Sequence, residues 1–164
     1  MKYEDLLPLE RLEEFDDAKP FPDSTRKHSF ISGNRESQVL RVRYFSHRES
    51  KEFLARAWFG PEAEGPPGLC HGGSQAALLD EGMGAAAWLA GYTVLAAKIE
   101  INFRKSIPLG TVVTVNASID RKEGKKVYVT GSLVSDSGTV YTEGSGLFIE
   151  VEIPDHLKAA CANA

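Results

Sequence analysis

The chain has 164 residues, 42% of them hydrophobic and 26% charged, with a formal net charge of −4. These values predict one domain with an ordinary core and exclude a basic surface for nucleic acid or an anionic membrane. Two cysteines, Cys70 and Cys161, are too few for a disulfide framework, and no Cys/His spacing is typical of a metal site. No apolar run reaches the ~20 residues of a membrane span, and the acidic N-terminus lacks a signal-peptide core. We expect a cytosolic protein, or one in the mitochondrial matrix if a transit peptide has been removed.

Residues 1–35 are predicted to form an extension that precedes the main domain. The apolar residues of segment 3–17 form a loose helical stripe interrupted by a proline, which indicates one or two short amphipathic helices. Residues 19–36 are rich in Pro, Ser, Asp and Gly without a steady period, which is typical of irregular structure. Residues 154–164 read as a C-terminal tail, so the main domain is expected at residues 36–153.

Two strands and one long helix are predicted in the first half of the main domain. Apolar and polar residues alternate over 38–44, and less regularly over 53–59, with the period of a half-buried strand. After a loop rich in Gly and Pro, the stretch from Gly73 or Ser74 to Ala90 contains many Ala and Leu residues and no β-branched residue. This composition predicts a helix that ends at Gly91, and its small residues allow close packing against a sheet or against a second copy of the chain.

The second half of the domain predicts four strands separated by short turns, at Thr93–Arg104, Thr111–Arg121, Lys126–Asp136 and Val140–Val151. Short connections imply antiparallel neighbours. Two strands, one central helix and four strands form the element order of the hotdog fold. We therefore predict an α+β protein in which a long antiparallel sheet wraps around one helix.

The His71-Gly72-Gly73 run at the predicted helix start is the first candidate for chemistry. A glycine pair lets the backbone approach a bound group closely, and the first N–H groups of a helix have no partner within the helix. The helix dipole adds partial positive charge, so Gly72 or Gly73 could stabilise the negative carbonyl oxygen that forms during acyl transfer. The alternative is a tight turn with only a structural role, capped by Gly73 or Ser74.

Asp80 is the second candidate, because it lies in a helix filled with small apolar residues. Burying a carboxylate is costly and raises its pKa, which suits a base or a nucleophile. The alternative is a solvated helix face shared with Glu81. Since His71 and Asp80 are nine residues apart, roughly 13 Å along a helix, one carbonyl group cannot contact both within one chain. Two chains with antiparallel helices would bring the start of one helix to the middle of the other, so we expect the site between subunits.

Together these motifs resemble the hotdog thioesterase superfamily over about residues 36–151. The resemblance rests on Gly-Pro-Pro-Gly-x-x-His-Gly-Gly, on an Asp nine residues after the His, and on the segment Ile101–Gly110. It is strongest to the thioesterase superfamily member 4 and 5 proteins and the phenylacetic-acid-pathway thioesterases. The resemblance implies that the Gly72 N–H polarises the thioester carbonyl and that Asp80 activates water or attacks directly. His71 would mainly shape the turn.

Two positions depart from the pattern of these relatives. Several relatives have an Asn six residues before the His, where this chain has Gly65, and a Ser or Thr sixteen residues after the carboxylate, where it has Ala96. Gln75 or Thr93 could substitute for these missing side chains. The departures allow a slow enzyme, or a protein that binds acyl-CoA without turning it over.

Other residues give weaker signals. Arg104 and Lys105 end a strand and could meet the phosphates of coenzyme A, although cations at such a position are often only solvated. Trp88 could line an acyl channel or simply pack. Cys70 invites comparison with a Cys-His nucleophile pair, but adjacent residues seldom aim both side chains at one point.

The leading prediction is therefore a homo-oligomeric acyl-CoA thioesterase, a dimer or a dimer of dimers, that takes a fatty or aryl acyl-CoA thioester as substrate and needs neither cofactor nor metal. A hydratase or dehydratase is disfavoured, since the spacing from His71 to Asp80 does not supply a proton-transfer pair. An acyl-CoA sensor that retains the pocket but turns over poorly is the non-enzymatic alternative.

Overall fold

The structure, a computed structural model, describes residues 1–7, 14–21 and 29–152. Within these residues one α-helix and seven strands follow the order β1 (Phe15–Asp17), β2 (Leu40–His47), β3 (Phe53–Phe59), α1 (Gly72–Leu89), β4 (Val94–Phe103), β5 (Val112–Glu123), β6 (Lys126–Val134) and β7 (Val140–Glu150). Short 3-10 turns lie at Tyr3–Asp5 and Pro61–Ala63. Among the helices of these ranges, none combines the length and apolarity that crossing a membrane requires.

All seven strands form one sheet in the order β1-β2-β3-β5-β6-β7-β4, and every neighbouring pair is antiparallel. The sheet packs around α1, which contacts β3 to β7. This arrangement confirms the predicted α+β hotdog fold. The predicted bounds of the helix and of the four later strands are each correct to within two residues.

Helix α1 ends where the sequence predicts, but it begins with a different cap. Gly91 takes the left-handed conformation (φ 89°) that suits the residue after a helix, and it follows Ala90 at the C-cap. At the other end His71 is the N-cap, so the prediction of Gly73 or Ser74 was wrong. The reason is that the imidazole accepts a hydrogen bond from a helix N–H, which brings Gly72 and Gly73 into the first turn.

Small residues allow α1 to lie close against the sheet. A Cβ at Gly82 would lie 2.6 Å from a methyl carbon of Val115 on β5, and a Cβ at Gly131 on β6 would lie 3.1 Å from Met83. On the opposite face of the helix Gly73 is exposed and Ala77 is half-buried. Some small residues therefore serve the packing of helix on sheet, while others remain on a face that the described chain leaves open.

The prediction of helix over residues 3–17 was wrong at Phe15. Residues 15–17 form β1, and Phe15 pairs with His47 at the outer edge of β2. Asp17 accepts two hydrogen bonds from Arg43 on β2, at 2.7 and 2.8 Å, which favours the extended pairing over the weak local helix pattern. The middle of the predicted helix, residues 8–13, lies outside the described residues, as does the predicted C-terminal tail at 154–164 with Cys161.

Strand β4 forms the sheet edge beside β7 and carries exposed apolar side chains. Leu95 is 62% exposed, Phe103 56% and Ile99 37%. An edge of this kind offers unpaired backbone groups and apolar surface to a second strand. The bulge at Ala97 in the pairing with β7 places Ile99 and Phe103 on the side of the sheet that faces α1.

Candidate active site

The start of α1 presents one backbone N–H group without an acceptor. The Gly73 N–H donates to Nδ1 of His71 at 2.8 Å, and the carbonyl of His71 accepts from the Ser74 backbone N–H at 3.1 Å. Among the described residues, no acceptor is recorded for the Gly72 N–H. Of the two glycines that the sequence leaves open as oxyanion donors, Gly72 is thus the one whose N–H remains available. Since Nδ1 of His71 already accepts a hydrogen bond, it cannot take up a proton without losing this cap.

Two further residues, Gly65 and Phe103, pack against this turn. Gly65 lies against His71, because a Cβ at Gly65 would come within 2.8 Å of the His71 Cα. The ring of Phe103 covers Gly72 from the end of β4, 3.2 Å from the position that a Cβ there would occupy. A side chain at Gly65 would require the backbone at His71 to shift, so this position supplies no polar group to the turn.

Gln75 is locked inside the molecule. Its Oε1 accepts from the Thr142 hydroxyl at 2.6 Å and its Nε2 donates to the Cys70 carbonyl at 3.4 Å. Gln75 is 4% exposed and Thr142 is fully buried. The amide thus fixes the first turn of α1 to β7 and to the preceding loop, and both of its ends are occupied within the chain.

Thr142→Val should destabilise the protein by about 1–3 kcal/mol, because it leaves the buried Gln75 oxygen without a donor. Valine keeps the shape of threonine, so the loss reports the hydrogen bond rather than a cavity. Chemical denaturation measures it. Adding Gln75→Leu to Thr142→Val should cost less than the sum of the two single changes; full additivity would contradict the coupling.

Asp80 is half-buried in the middle of α1 and has no recorded hydrogen-bond partner among the described residues. Burial, and to a smaller extent the neighbouring Glu81, raises the pKa of its carboxyl group. Glu81 differs in its contacts, since its carboxylate accepts from the Tyr44 hydroxyl at 2.7 Å and from Ser32 Oγ at 3.0 Å. Glu81 is thus tied to neighbouring segments and does not form a solvated pair with Asp80, which is half-exposed and has no recorded partner among the described residues.

His71 and Asp80 belong to one uninterrupted helix, so their separation along its axis is fixed. Gly73, Ala77 and Asp80 follow the i, i+4, i+7 spacing of one helix face. Buried Leu78, Leu79 and Gly82 point to the other side. Asp80 thus lies on the open face of α1, and within one chain it cannot reach the group that binds to the Gly72 N–H.

The remaining predicted site residues are spread along β4 and its ends. Thr93 is half-buried just before the strand, and Ala96 is exposed opposite Phe148, on the side that faces α1. Arg104 pairs with Glu143 at 2.8 Å, which satisfies much of its charge within the chain. Lys105 is exposed beside it. The structure therefore brings His71, Gly72, Gly73 and Gly65 together at the helix start, where Gln75 is turned inward, and leaves the rest along α1 and β4.

Cys70 does not have the environment of a nucleophile. It is buried, its thiol faces the Pro108 carbonyl at 3.7 Å, and burial raises its pKa to about 11. We expect Cys70→Ala to keep most of the activity, and the wild-type thiol to resist alkylation at neutral pH, since the thiolate is the reactive form. Mass spectrometry after iodoacetamide treatment checks the second point; rapid loss of activity with Cys70 labelling would contradict it.

One helix wrapped by a seven-stranded antiparallel sheet, with a glycine pair at its capped start and a carboxylate on its open face, defines a hotdog-fold protein. Residues 67–142 match the sequence model of the thioesterase superfamily. This match confirms the family resemblance over that part of the chain.

Curated relatives point the same way. Acyl-coenzyme A thioesterase THEM4 of Bos taurus is 35% identical over 109 residues, which cover 66% of this chain and 45% of that protein. Acyl-coenzyme A thioesterase THEM5 of Mus musculus is 33% identical over 121 residues, covering 73% and 49%. The chain thus spans about half the length of these relatives.

Solved structures share the fold. A thioesterase superfamily protein superposes with a TM-score of 0.68 at 24% identity, covering 76% of this chain and 61% of that one. The E. coli PaaI protein from the phenylacetic acid degradation operon gives 0.62 at 16% identity, covering 68% and 80%. A hypothetical thioesterase from Streptococcus pneumoniae with coenzyme A gives 0.59 at 15% identity, covering 61% and 81%.

Sequence reasoning missed two contacts around the helix start. Phe103 over Gly72 could have been suspected because Phe103 continues the apolar alternation of Ile99 and Ile101 to the end of β4. The hydrogen bond between Gln75 and Thr142 had no local signal, because 67 residues separate the partners.

In the described part of the chain, no group of His, Cys, Asp and Glu side chains is arranged to hold a metal ion.

Proposed function

We propose that the chain hydrolyses acyl-CoA thioesters to free acid and coenzyme A at a site shared by two subunits. The observation that carries the proposal is a helix with two groups that have no recorded hydrogen-bond partner among the described residues, the Gly72 N–H at its start and the Asp80 carboxylate on its open face. The names of the relatives and the coenzyme A in a structural neighbour support the substrate class.

The second subunit is proposed to dock on the β4 edge and the open face of α1. The exposed side chains of Ile99 and Phe103 supply apolar surface along that edge on the side that faces α1. A two-fold axis there would place each surface against itself and would run the two helices antiparallel. Gly72 of each chain would then face Asp80 of its twin.

The proposed chemistry divides the work between these two groups. The Gly72 N–H and the positive end of the helix dipole stabilise the oxyanion that forms when the thioester carbon is attacked. Asp80 takes a proton from the attacking water, the carbon–sulfur bond breaks, and the coenzyme A thiolate leaves and is protonated. In the second route Asp80 attacks the carbon itself, the carbon–sulfur bond breaks and the coenzyme A thiolate leaves, and water then hydrolyses the resulting anhydride. Incorporation of ¹⁸O into Asp80 after a single turnover in labelled water would establish the second route, because only the anhydride route can place the label there.

Release of free thiol from a panel of acyl-CoAs, from short to long and aryl, tests the function. Turnover of at least one class is expected, in a particle of dimer or tetramer mass, without added cofactor or metal and unchanged by a chelator. Binding without thiol release would favour the acyl-CoA sensor. Gly65 and Ala96 are the reason to consider a sensor, because they lack the polar side chains that the resemblance predicts at these positions. A stable, active monomer would contradict the shared site. A cytosolic location remains a prediction.

A further inference from the structure

A cleft opens between the turn at residues 29–31 and the start of α1. Phe30, Ile31, Leu40, Ala63, Gly73 and Ala77 are among the residues that line it, and its volume is about 250 Å³. Whole small-molecule sites usually enclose roughly 300–1,000 Å³. The cleft is therefore of a size to hold one part of an acyl-CoA rather than the whole molecule.

The turn that forms one wall is anchored on both sides of Phe30. Ile31 is 5% exposed and belongs to the core. The hydroxyls of Ser29 and Ser32 bond to each other at 3.0 Å, and Ser32 also donates to Glu81 on α1 at 3.0 Å. The position of the turn over the helix is thus fixed by contacts that do not involve the Phe30 ring.

Phe30 itself is 87% exposed, the highest value among the large apolar side chains described. Exposing a phenyl ring forgoes most of the stabilisation that its burial would give. An aromatic side chain that is held over an apolar cleft, and that gains so little from its own chain, points to an apolar ligand.

The cleft continues into the candidate active site. Its floor includes Gly73, the residue after the proposed oxyanion donor, and Ala77, which shares the helix face of Asp80. A thioester carbonyl held by the Gly72 N–H would therefore have its acyl group within reach of the cleft. Glu62 and Glu64 are exposed at the lining, and none of the described residues that line the cleft is a lysine or an arginine.

We propose that this cleft receives the distal part of the acyl group and that Phe30 is the residue that sets selectivity for acyl length. The inference rests on the proposed function and deepens it. The ring packs on a long neutral acyl chain and gains nothing from a short one. Acyl groups that end in a carboxylate are disfavoured by Glu62 and Glu64.

The test compares Phe30→Ala with Phe30→Leu across straight-chain acyl-CoAs of increasing length, and with Leu7→Ala as the control. Leu7 is an exposed apolar residue of the same N-terminal extension that does not line the cleft. We expect Phe30→Ala to lower kcat/KM for the longest substrates roughly tenfold relative to the shortest, mainly through KM, because part of an aromatic contact is lost. Phe30→Leu should restore most of the preference, and Leu7→Ala should leave the length profile unchanged.

An equal loss of kcat/KM at every length would overturn the proposal. A lowered oligomer mass in Phe30→Ala, with an unchanged length profile, would overturn it too and would assign the ring to a contact between subunits. If the wild-type chain releases no thiol from any substrate, the proposed function fails. The role of Phe30 is then tested separately by measuring the affinity for the same acyl-CoAs by calorimetry. In that case equal affinity of wild type and Phe30→Ala for the longest acyl-CoA would contradict the role of Phe30.

Discussion

Asp80→Asn is expected to reduce thioester hydrolysis roughly 10²–10⁴-fold, the range that a positioned general base typically contributes. Asparagine keeps the shape of the side chain but can neither take up a proton nor attack the thioester. Since the carboxylate has no recorded partner in the part of the chain that the structure describes, the change removes no known contact there. Rates of thiol release under saturating acyl-CoA measure the effect. Glu81→Gln is a poor control because Glu81 anchors Tyr44 and Ser32.

The raised pKa of Asp80 gives this prediction a pH dependence with a definite sign. Catalysis requires the ionised carboxylate, so activity should rise with pH through a value above the ordinary aspartate range. Burial disfavours the same ionised form in the folded state, so ionised Asp80 lowers stability at neutral pH. Asp80→Asn should therefore raise the melting temperature at pH 7, and this gain should vanish as the pH falls below the unfolded-state pKa. A lower melting temperature at pH 7 would show that Asp80 makes a stabilising contact.

Gly72→Pro is expected to lower kcat by roughly 10²–10³-fold, the cost of one oxyanion-hole donor. Proline removes the N–H group and is well tolerated at the first position of a helix. His71, the residue before it, already has φ −63° and ψ 138°, the conformation that a following proline requires. No recorded backbone hydrogen bond is lost, because the Gly72 N–H has no acceptor among the described residues.

Gly72→Ala is the matched control, since it keeps the N–H group and introduces the same Cβ atom. That Cβ would lie 3.2 Å from the Phe103 ring, which an exposed side chain can relieve by a small shift. We expect Gly72→Ala to stay within about tenfold of wild type, and circular dichroism to show equal folding of both variants. Equal losses in the two variants would assign the effect to crowding against Phe103 and would remove the N–H group from the mechanism.

Patterns that repeat along the chain allowed the fold to be predicted. The apolar alternation of the later strands and the run of Ala and Leu in α1 are local signals, and the strands and the helix form where these signals predict them. The helix prediction was wrong at Phe15 because the two hydrogen bonds between Asp17 and Arg43, which are distant in sequence, favour a strand over the weak helical stripe. The cap at His71 was missed because a histidine ring replaced the more usual Ser or Gly.

The candidate site was predictable only in part, for a physical reason. The Gly72 N–H and the Asp80 carboxylate are recognisable because a helix start and a carboxylate among small apolar residues are unusual features of a sequence. The walls of the site depend on contacts between segments far apart in the chain. Phe30 in the extension and Phe103 at the end of β4 meet the same helix turn only after folding.

The most direct measurement of the shared site is complementation between two inactive variants. Asp80→Asn and Gly72→Pro chains, co-expressed in equal amounts, assemble at random, so half of the dimers are mixed and each mixed dimer has one intact site. We predict recovery of about one quarter of wild-type activity, whether or not the dimers pair further. Each variant alone should stay at background. Recovery no greater than the average of the two variants measured separately would mean that Gly72 and Asp80 do not act together across subunits.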